Sequence, residues 1–391
     1  MHRLLSTAIL VLCPTAPAAA VAATPPISHP AVWRPSEAPR VGVADAVALE
    51  MTDGGLVLIG GFTDRLQATA AVQRRNPSHG WEPVGTSLLT PRASPLVARL
   101  PEDRVLVVGG WKGTLPHDVV HLDDAELCDP RRPERRSPLP PPFPGRDAEG
   151  LEGGSLCTLA DGRILLVHDR DLAVFDSTTL SWSHRHRFEH PRRDAALLPL
   201  PDGGALVVGG SNEDAPPIET IDIADDGSIG LEPWDVPLDP RLRHAALHAV
   251  DGGKLLLAGG ELAGRSLTDT WILNPGQRSI RKAAPLPFEG GLSRGRFIAI
   301  DDRLLLLGGE CVEGRFPTPA RYGAVLRPPW DRPLRIVASP LTAVRSMVVP
   351  RSRGAVLIGG YRFDAGEERS RRIQVHRASC ELSLPVFAIV D

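Results

Sequence analysis

The sequence predicts an all-β protein made of repeated units of four short antiparallel strands. An aliphatic run that ends in two glycines recurs at intervals of about fifty residues, and such a period indicates a repeated supersecondary unit. Glycine (38 residues) and proline (39 residues) are both abundant in the 391 residues, and no capped amphipathic helix is evident beyond the first residues. We therefore expect one domain of repeated sheets.

The repeat is clearest at residues 255–260, which read LLLAGG. Near copies lie at residues 56–61, 105–110, 205–210, 304–309 and 355–360, and a seventh at residues 164–168 has lost its glycines. Apolar residues fill these runs with little polar alternation, which is typical of strands covered on both faces. The runs therefore predict sheets that are stacked against neighbouring sheets.

Further strands flank each aliphatic run. A turn rich in Asp and Gly precedes it, as at residues 251–253, and such turns favour a hairpin because these residues accept positive φ. A variable loop and two more strands follow the glycines, most clearly at residues 171–182. Each unit is thus expected to hold four antiparallel strands.

These features together resemble the kelch repeat: the glycine pair after an apolar strand, aromatic or Asp-Pro features in the third and fourth strands, and an arginine that opens the next unit. The resemblance covers essentially all of the mature chain, although tyrosine is scarce and Val167-His168 replaces one glycine pair. It implies a seven-bladed β-propeller whose four-stranded antiparallel blades surround a channel. The blades would start near residues 40, 92, 146, 192, 243, 294 and 345, and residues 31–40, with Trp33 in a fourth-strand position, would pair with the last blade near residues 372–390.

The first 23 residues read as a secretory signal peptide, because a short apolar run is followed by small residues at 20–22. The mature domain would span residues 24–391 and be secreted or periplasmic, without stable membrane insertion; Leu12 before Cys13 is a poor match to a lipidation signal. Four cysteines would remain, at 128, 157, 311 and 380, and their spacing leaves all three disulfide pairings open. A net charge of −3 without a basic tail argues against nucleic acid as a partner.

The main site hypothesis concerns an arginine near the start of each unit. The candidates are Arg40, Arg92, Arg146, Arg192, Arg243, Arg294 and Arg345. If these residues converge at one end of the channel, their guanidinium groups would suit a carboxylate or sulfate of an acidic peptide or sugar acid, and the kelch resemblance implies such a mouth. The alternative is that each arginine pairs with a local acid and holds the blades together.

A second set of candidates follows the glycine pairs, where loops are expected on the same face as the arginines. Trp111, Glu261 and Tyr361 are the residues to which we assign ligand binding, since aromatic rings stack on sugars or peptides. The expected partner is a protein or an anionic carbohydrate.

No nucleophile, acid–base pair or metal cluster stands out, so no catalytic residue, metal or cofactor is assigned. The kelch resemblance extends to copper-radical sugar oxidases, which require a Cys-linked Tyr, a second Tyr and two His. This chain has only Tyr322 and Tyr361, neither followed by His, so we do not expect that activity. The enzymatic alternative is a periplasmic mutarotase of the sialic acid type, in which arginine with Glu or His would handle the protons. We place this enzyme second, and the function that we expect first is that of a binding module.

Overall fold

Short antiparallel strands and tight turns run through the whole described part of the computed structural model, which comprises residues 32–82, 85–145, 150–224, 226–313, 317–331, 333–341, 343–351, 354–363 and 373–383. The strands form a seven-bladed β-propeller of four-stranded antiparallel blades, which confirms the predicted fold class. Residues 1–23, which the sequence predicts to be a signal peptide, and Arg146 lie outside the described residues.

The strands of each blade are given from the channel outwards. Blades 1 and 2 consist of Val47–Glu50, Leu56–Ile59, Ala71–Asn76 and Gly80–Trp81, with Thr86–Ser87 also on the third strand, and of Leu96–Arg99, Val105–Val108, Ala125–Cys128 and Ser137–Leu139. Blades 3 and 4 consist of Ser155–Thr158, Ile164–Asp176 and Ser181–Arg192, and of Ala196–Pro199, Ala205–Val208, Ile218–Ile223 and Ile229–Trp234. Blades 5 and 6 consist of Ala246–Val250, Lys254–Ala258, Thr270–Asn274 and Ser279–Lys282, and of Arg296–Ile300, Arg303–Leu307, Tyr322–Leu326 and Pro333–Ala338. Blade 7 consists of Met347–Arg351, Gly354–Ile358, Ser379–Ser383 and Val32–Ser36.

Smaller elements decorate the blades. Two-stranded hairpins pair Trp111–Lys112 with Val120–His121, Glu261–Leu262 with Arg265–Ser266, Glu310–Val312 with Pro317–Pro319, and Tyr361–Phe363 with Ile373–Val375. Short 3₁₀ turns lie at Pro101–Asp103, Pro133–Arg135, Asp251–Gly253 and Pro275–Gln277. The hairpins directly follow glycine pairs, so the variable loops predicted there extend from one face of the propeller.

The hydrophobic core lies in the gaps between blades. In the second strand of blade 5, Leu255 and Leu257 pack towards blade 4, whereas Leu256 and Ala258 pack towards blade 6. Successive side chains of a strand point to opposite faces, and here both faces meet another sheet. This explains why the aliphatic runs lack polar alternation, as the sequence predicted.

The glycine pairs permit close contact with the neighbouring segment. Gly259 and Gly260 have φ of 63° and 99°, a region that L side chains rarely adopt. A Cβ on Gly259 would lie 2.2 Å from the carbonyl oxygen of Leu292, and one on Gly260 would lie 2.7 Å from Leu242. The pair is therefore needed for both backbone conformation and packing.

Blade 3 lacks the pair because its second strand turns directly into its third. The segment Ile164–Asp176 contains Asp169 at φ of 53°. Leu166 and Ala173, on either side of this turn, both pack towards blade 2, whereas Leu165 and Leu172 both pack towards blade 4. A tight turn thus replaces the glycine pair and the loop of the other blades.

The ring is closed by the N-terminal strand. Val32–Ser36 pairs antiparallel with Ser379–Ser383, with Trp33 opposite Leu382. This confirms the expected pairing of residues 31–40 with the last blade. No helix in the described ranges is long and apolar enough to cross a membrane, and Cys128, Cys157, Cys311 and Cys380 are all free thiols.

Candidate functional site

One residue per blade, just before the innermost strand, has a left-handed backbone. These residues are Asp45, Ser94, Gly153, Asp194, His244, Arg294 and Arg345, with φ between 50° and 75°. Neighbouring members are joined across blades: the amide of His244 donates to the carbonyl of Asp194 at 2.9 Å, and the amide of Arg294 donates to the carbonyl of His244 at 2.9 Å. We call these seven residues the mouth ring.

Charged side chains of the mouth ring converge on one buried acid. Arg294 Nε lies 3.2 Å from Glu310 Oε1, and Arg345 Nε lies 3.1 Å from Glu310 Oε2. Arg345 also reaches Asp45 Oδ1 at 3.4 Å. Glu310 follows the glycine pair of blade 6 and is fixed there by reciprocal backbone hydrogen bonds with Ser293, both at 2.9 Å. The carboxylate of Glu310 thus joins arginines from two neighbouring blades.

The converging side chains border a cavity of about 230 Å³ formed by blades 6, 7 and 1. Its charged lining consists of Arg294, Arg296, Arg345, Asp45 and Glu310. Arg296 donates from Nη1 to the carbonyl of Val348 at 3.1 Å, and burial lowers its pKa. Three guanidinium groups therefore face two carboxylates, which favours an anion over a cation in this cavity. We call these five residues the mouth cluster.

His244 extends the network on the blade 5 side. Burial, followed by the charges of Arg294, Arg345 and Arg243, lowers its pKa to about 2, so the imidazole is neutral at neutral pH. Arg294 Nη2 lies 2.7 Å from Nε2, and because a guanidinium only donates, Nε2 must accept. The proton is then on Nδ1, which lies 3.5 Å from Asp194 Oδ1.

Tyr361 is the aromatic residue close to the mouth cluster. Burial and the carboxylate of Asp45 raise its pKa to about 12, against the opposing charge of Arg345, so the phenol remains protonated. Its ring centroid lies 5.6 Å from that of Phe62, which in turn lies 5.8 Å from that of Trp111. Trp111 is buried under this face, and its ring is a packing element instead of an exposed stacking surface.

The structure separates the seven candidate arginines. Arg294 and Arg345 are in the mouth cluster, whereas Arg92 and Arg192 are fully buried. Arg92 donates to the carbonyl of Gly109 and to Glu126, both at 2.7 Å, and Arg192 donates to the carbonyl of Gly209 at 3.0 Å and pairs with Glu219. These two follow the alternative interpretation, in which arginines hold the blade together, and are inaccessible to a ligand.

The remaining candidates lie elsewhere on the same face. Arg243 and Glu261 exchange backbone hydrogen bonds and line a cavity of about 360 Å³ with Arg241 and Glu213, between blades 4 and 5. Arg40 lines a third cavity and donates to the carbonyl of Trp81. The innermost strands begin shortly after the arginines, for example at Met347.

Asp45, His244 and Arg296 were not among the sequence candidates. A positional signal exists, since Asp45, Asp194 and His244 each precede the first glycine of their pair, at Gly60, Gly209 and Gly259, by fifteen residues. A repeated arginine is visible as a residue type, whereas Asp45, Asp194 and His244 share a repeat position without sharing a chemistry.

Comparisons with known proteins show the fold. No protein family matches the sequence, and no curated protein matches it. Among solved structures, the chain is similar to a fungal alcohol oxidase of the AA5 family in complex with copper, with a TM-score of 0.68 and 17% identity, over 92% of this chain and 78% of the oxidase. It is also similar to YjhT, with a TM-score of 0.51 and 12% identity, over 87% of this chain and 99% of YjhT.

The described residues of this chain do not form a group of side chains suited to a copper ion. In the ranges that the structure describes, no three His, Cys, Asp or Glu side chains are grouped so that they could hold a metal ion. Tyr322 is exposed on the third strand of blade 6, and Tyr361 lies among arginines and acids at the mouth. We therefore derive no chemistry through copper.

Proposed function

We propose that this chain is an exported, kelch-type binding module that takes the carboxylate of a sugar acid or an acidic peptide at the mouth cluster. The observation that carries the proposal is the convergence of Arg294 and Arg345, from neighbouring blades, on the single carboxylate of Glu310. Guanidinium groups held in this way are preorganised, so little conformational entropy is lost when a ligand binds.

Each of these arginines keeps donors for a ligand. Arg294 uses Nε for Glu310 and Nη2 for His244, and Arg345 uses Nε for Glu310 and Nη1 for Asp45. Nη1 of Arg294 and Nη2 of Arg345 make no hydrogen bond with any described residue. Two such donors on the wall of one cavity suit the two oxygens of a carboxylate.

The cavity size supports a ligand with a single acidic group at this position. Its volume of about 230 Å³ lies below the range of roughly 300–1,000 Å³ that is common for sites enclosing a whole small ligand. One sugar ring or one acidic side chain fits this space better than an oligosaccharide. The rest of a larger ligand would then lie over the variable hairpins of the same face.

Two parts of the proposal, the export of the protein and the kelch type of its repeats, are supported by the amino-acid sequence alone. The composition of residues 1–23 supports a signal peptide, and the seven repeats support the kelch assignment. A periplasmic or secreted propeller would meet carbohydrates and peptides in its surroundings. Mass spectrometry of the protein recovered from culture medium or periplasm tests this part, and a retained Met1 would contradict it.

A thermal-shift and calorimetric screen tests the ligand class. Sugar acids and acidic peptides should raise the melting temperature, whereas the corresponding neutral sugars and amidated peptides should not. Arg345→Gln should weaken the binding of a ligand found in this way by about tenfold or more, since one charge-assisted hydrogen bond is lost. Arg243→Gln is the matched control on the same face; an unchanged affinity in Arg345→Gln would contradict the proposal.

The position of Glu310 favours a mutarotase as the second candidate. A sugar ring opens when one group removes the proton of the anomeric hydroxyl while another protonates the ring oxygen. The carboxylate of Glu310 lines the same cavity as Arg294 and Arg345, so an acceptor for the proton of the anomeric hydroxyl adjoins the proposed carboxylate site. In this candidate function Glu310→Gln would slow mutarotation, followed by NMR, by about 10²-fold while anion binding is retained; equal rates with and without the wild-type protein would eliminate it.

A further inference from the structure

A second cluster of arginines lies at the rim of the same face, between blades 7 and 1. Arg40, Arg65 and Arg377 line a cavity of about 430 Å³ together with Thr63, Asp64 and Gln67. Thr63 follows Phe62, which pairs with Ala44 next to Asp45 of the mouth ring. The cavity therefore opens on the face of the mouth cluster, but its lining shares no residue with the mouth cavity. We call it the rim cavity.

The rim arginines are positioned by neutral groups. Arg40 donates from Nε and Nη2 to the carbonyl of Trp81 at 3.1 and 2.8 Å. Arg377 donates from Nη2 to the carbonyls of Arg40 and Pro39 at 2.5 and 3.4 Å. A carbonyl fixes the direction of a guanidinium but leaves its full charge in place. These contacts orient two arginines without neutralising them.

No carboxylate of the described ranges forms an ion pair with Arg40, Arg65 or Arg377. Asp64 is the one acid in the lining of the rim cavity, and three positive charges therefore face one negative charge. In the mouth cluster, by contrast, Glu310 and Asp45 pair with the arginines. The rim cavity is the more strongly positive of the two.

The equivalent cavity between blades 4 and 5 shows that the fold does not require this excess of arginine. It is built from the same parts of the repeat, namely the segment before an innermost strand and the loops after two glycine pairs. There Arg241 pairs with Asp239 and Glu213, and Glu261 adds another acid. The excess of positive charge in the gap between blades 7 and 1 is thus absent from the gap between blades 4 and 5.

Gly42 allows Arg377 to lie across the rim cavity. A Cβ at residue 42 would be 2.5 Å from Cγ of Arg377, so any larger residue would displace the arginine. Its backbone φ is not in the left-handed region, and conformation alone does not demand glycine there. The glycine serves the approach of the arginine stem.

We propose that the rim cavity is a second oxyanion site, which binds a sulfate, phosphate or carboxylate group through Arg40, Arg65 and Arg377. Guanidinium groups that keep their charge and several donors are suited to the oxygens of such groups. Thr63 and Gln67 add neutral hydrogen-bonding groups to the lining. With the mouth cluster on the same face, an extended ligand with two acidic groups could occupy both sites; the rim site itself does not depend on the proposed function of the mouth.

Titration with inorganic sulfate tests this site, with chloride at equal ionic strength as reference. Arg65→Gln is the cleanest variant, because Arg65 is exposed and makes no hydrogen bond within the described residues, so the fold should be unaffected. We expect the Kd for sulfate to rise about tenfold in Arg65→Gln and in Arg377→Gln. Gly42→Ala, which keeps every charge but displaces Arg377, should weaken binding as well.

Two controls separate the rim from other positive surfaces. Arg241→Gln lies in the equivalent cavity between blades 4 and 5 and should retain sulfate binding. The double variant Arg294→Gln/Arg345→Gln removes the mouth arginines, so it should lose only the sulfate bound at the mouth, and the sulfate binding that remains should be weakened further by Arg65→Gln. General stabilisation by sulfate acts on all variants alike and cancels in the comparison. Wild-type affinity in Arg65→Gln and Arg377→Gln, or an equal loss in Arg241→Gln, would overturn the proposal. If only the mouth double variant loses binding, the rim site is refuted and the mouth site stands.

Discussion

Arg294 donates a hydrogen bond from Nη2 to Nε2 of His244 at 2.7 Å. If the imidazole were protonated, both side chains of this pair would be positively charged. The contact is compatible only with neutral His244, since a second proton would leave two donors facing each other with no acceptor between them. Burial and the surrounding arginines lower the pKa of His244 to about 2 for this reason.

This contact predicts how stability depends on pH. The unfolded chain binds a proton at His244 below about pH 6.5, whereas the folded protein does not until about pH 2, so stability is complete above pH 6.5 and falls as pH is lowered from 6.5 towards 2. At pH 5 the loss due to His244 should be about 2 kcal/mol. When the pH is lowered from 6.5 to 5, the free energy of unfolding measured in urea should therefore fall less in His244→Gln than in the wild type.

Glutamine is the suitable replacement because it can accept from Arg294 and donate towards Asp194. His117→Gln is the control, because His117 is exposed on a loop of the same face. Parallel pH profiles for the wild type and His244→Gln would contradict the neutral state of His244.

Glu310→Gln should affect stability and anion binding in opposite directions. The substitution removes the charge that Arg294 and Arg345 share, and with Glu310 only 3% exposed we expect a loss of about 2 kcal/mol in the free energy of unfolding. The two arginines would then attract anions more strongly. Sulfate should raise the melting temperature of Glu310→Gln more than that of the wild type, and an equal response would contradict the arrangement.

Arg192 and Glu219 provide a test of the structural role of the buried arginines. Arg192→Met removes the partner of Glu219 and the donor to Gly209, and should lower the free energy of unfolding by about 3 kcal/mol. Arg192→Met/Glu219→Met removes the stranded carboxylate as well and should recover part of this loss. If the double variant is no more stable than the single variant, the ion pair does not account for the burial of Arg192.

The sequence predicted the fold better than the site for a physical reason. Residues such as Leu256 report their burial directly, because both faces of the strand must be apolar and the glycine pair must follow. The site, by contrast, depends on which side chains the seven repeats bring together at the mouth ring. The equivalent positions of this ring carry different chemistry, for example Asp45, His244 and Arg345. Arg92 and Arg345 look alike in sequence, yet two residues of offset relative to the mouth ring place one in a blade and the other in the cavity.

Closure by the N-terminal strand leads to the last prediction. Trp33 is half-buried against the gap between blades 6 and 7, and its indole Nε1 donates to the carbonyl of Ala338 at 2.8 Å. Trp33→Ala should lower the free energy of unfolding by about 2 kcal/mol, whereas Arg34→Ala, on the same strand but exposed, should leave it nearly unchanged. Deletion of residues 24–38 should have a larger effect, because the strand Ser379–Ser383 would become an exposed sheet edge. Calorimetry of the three variants measures these differences, and a deletion variant that melts with the wild type would show that the ring does not need this strand.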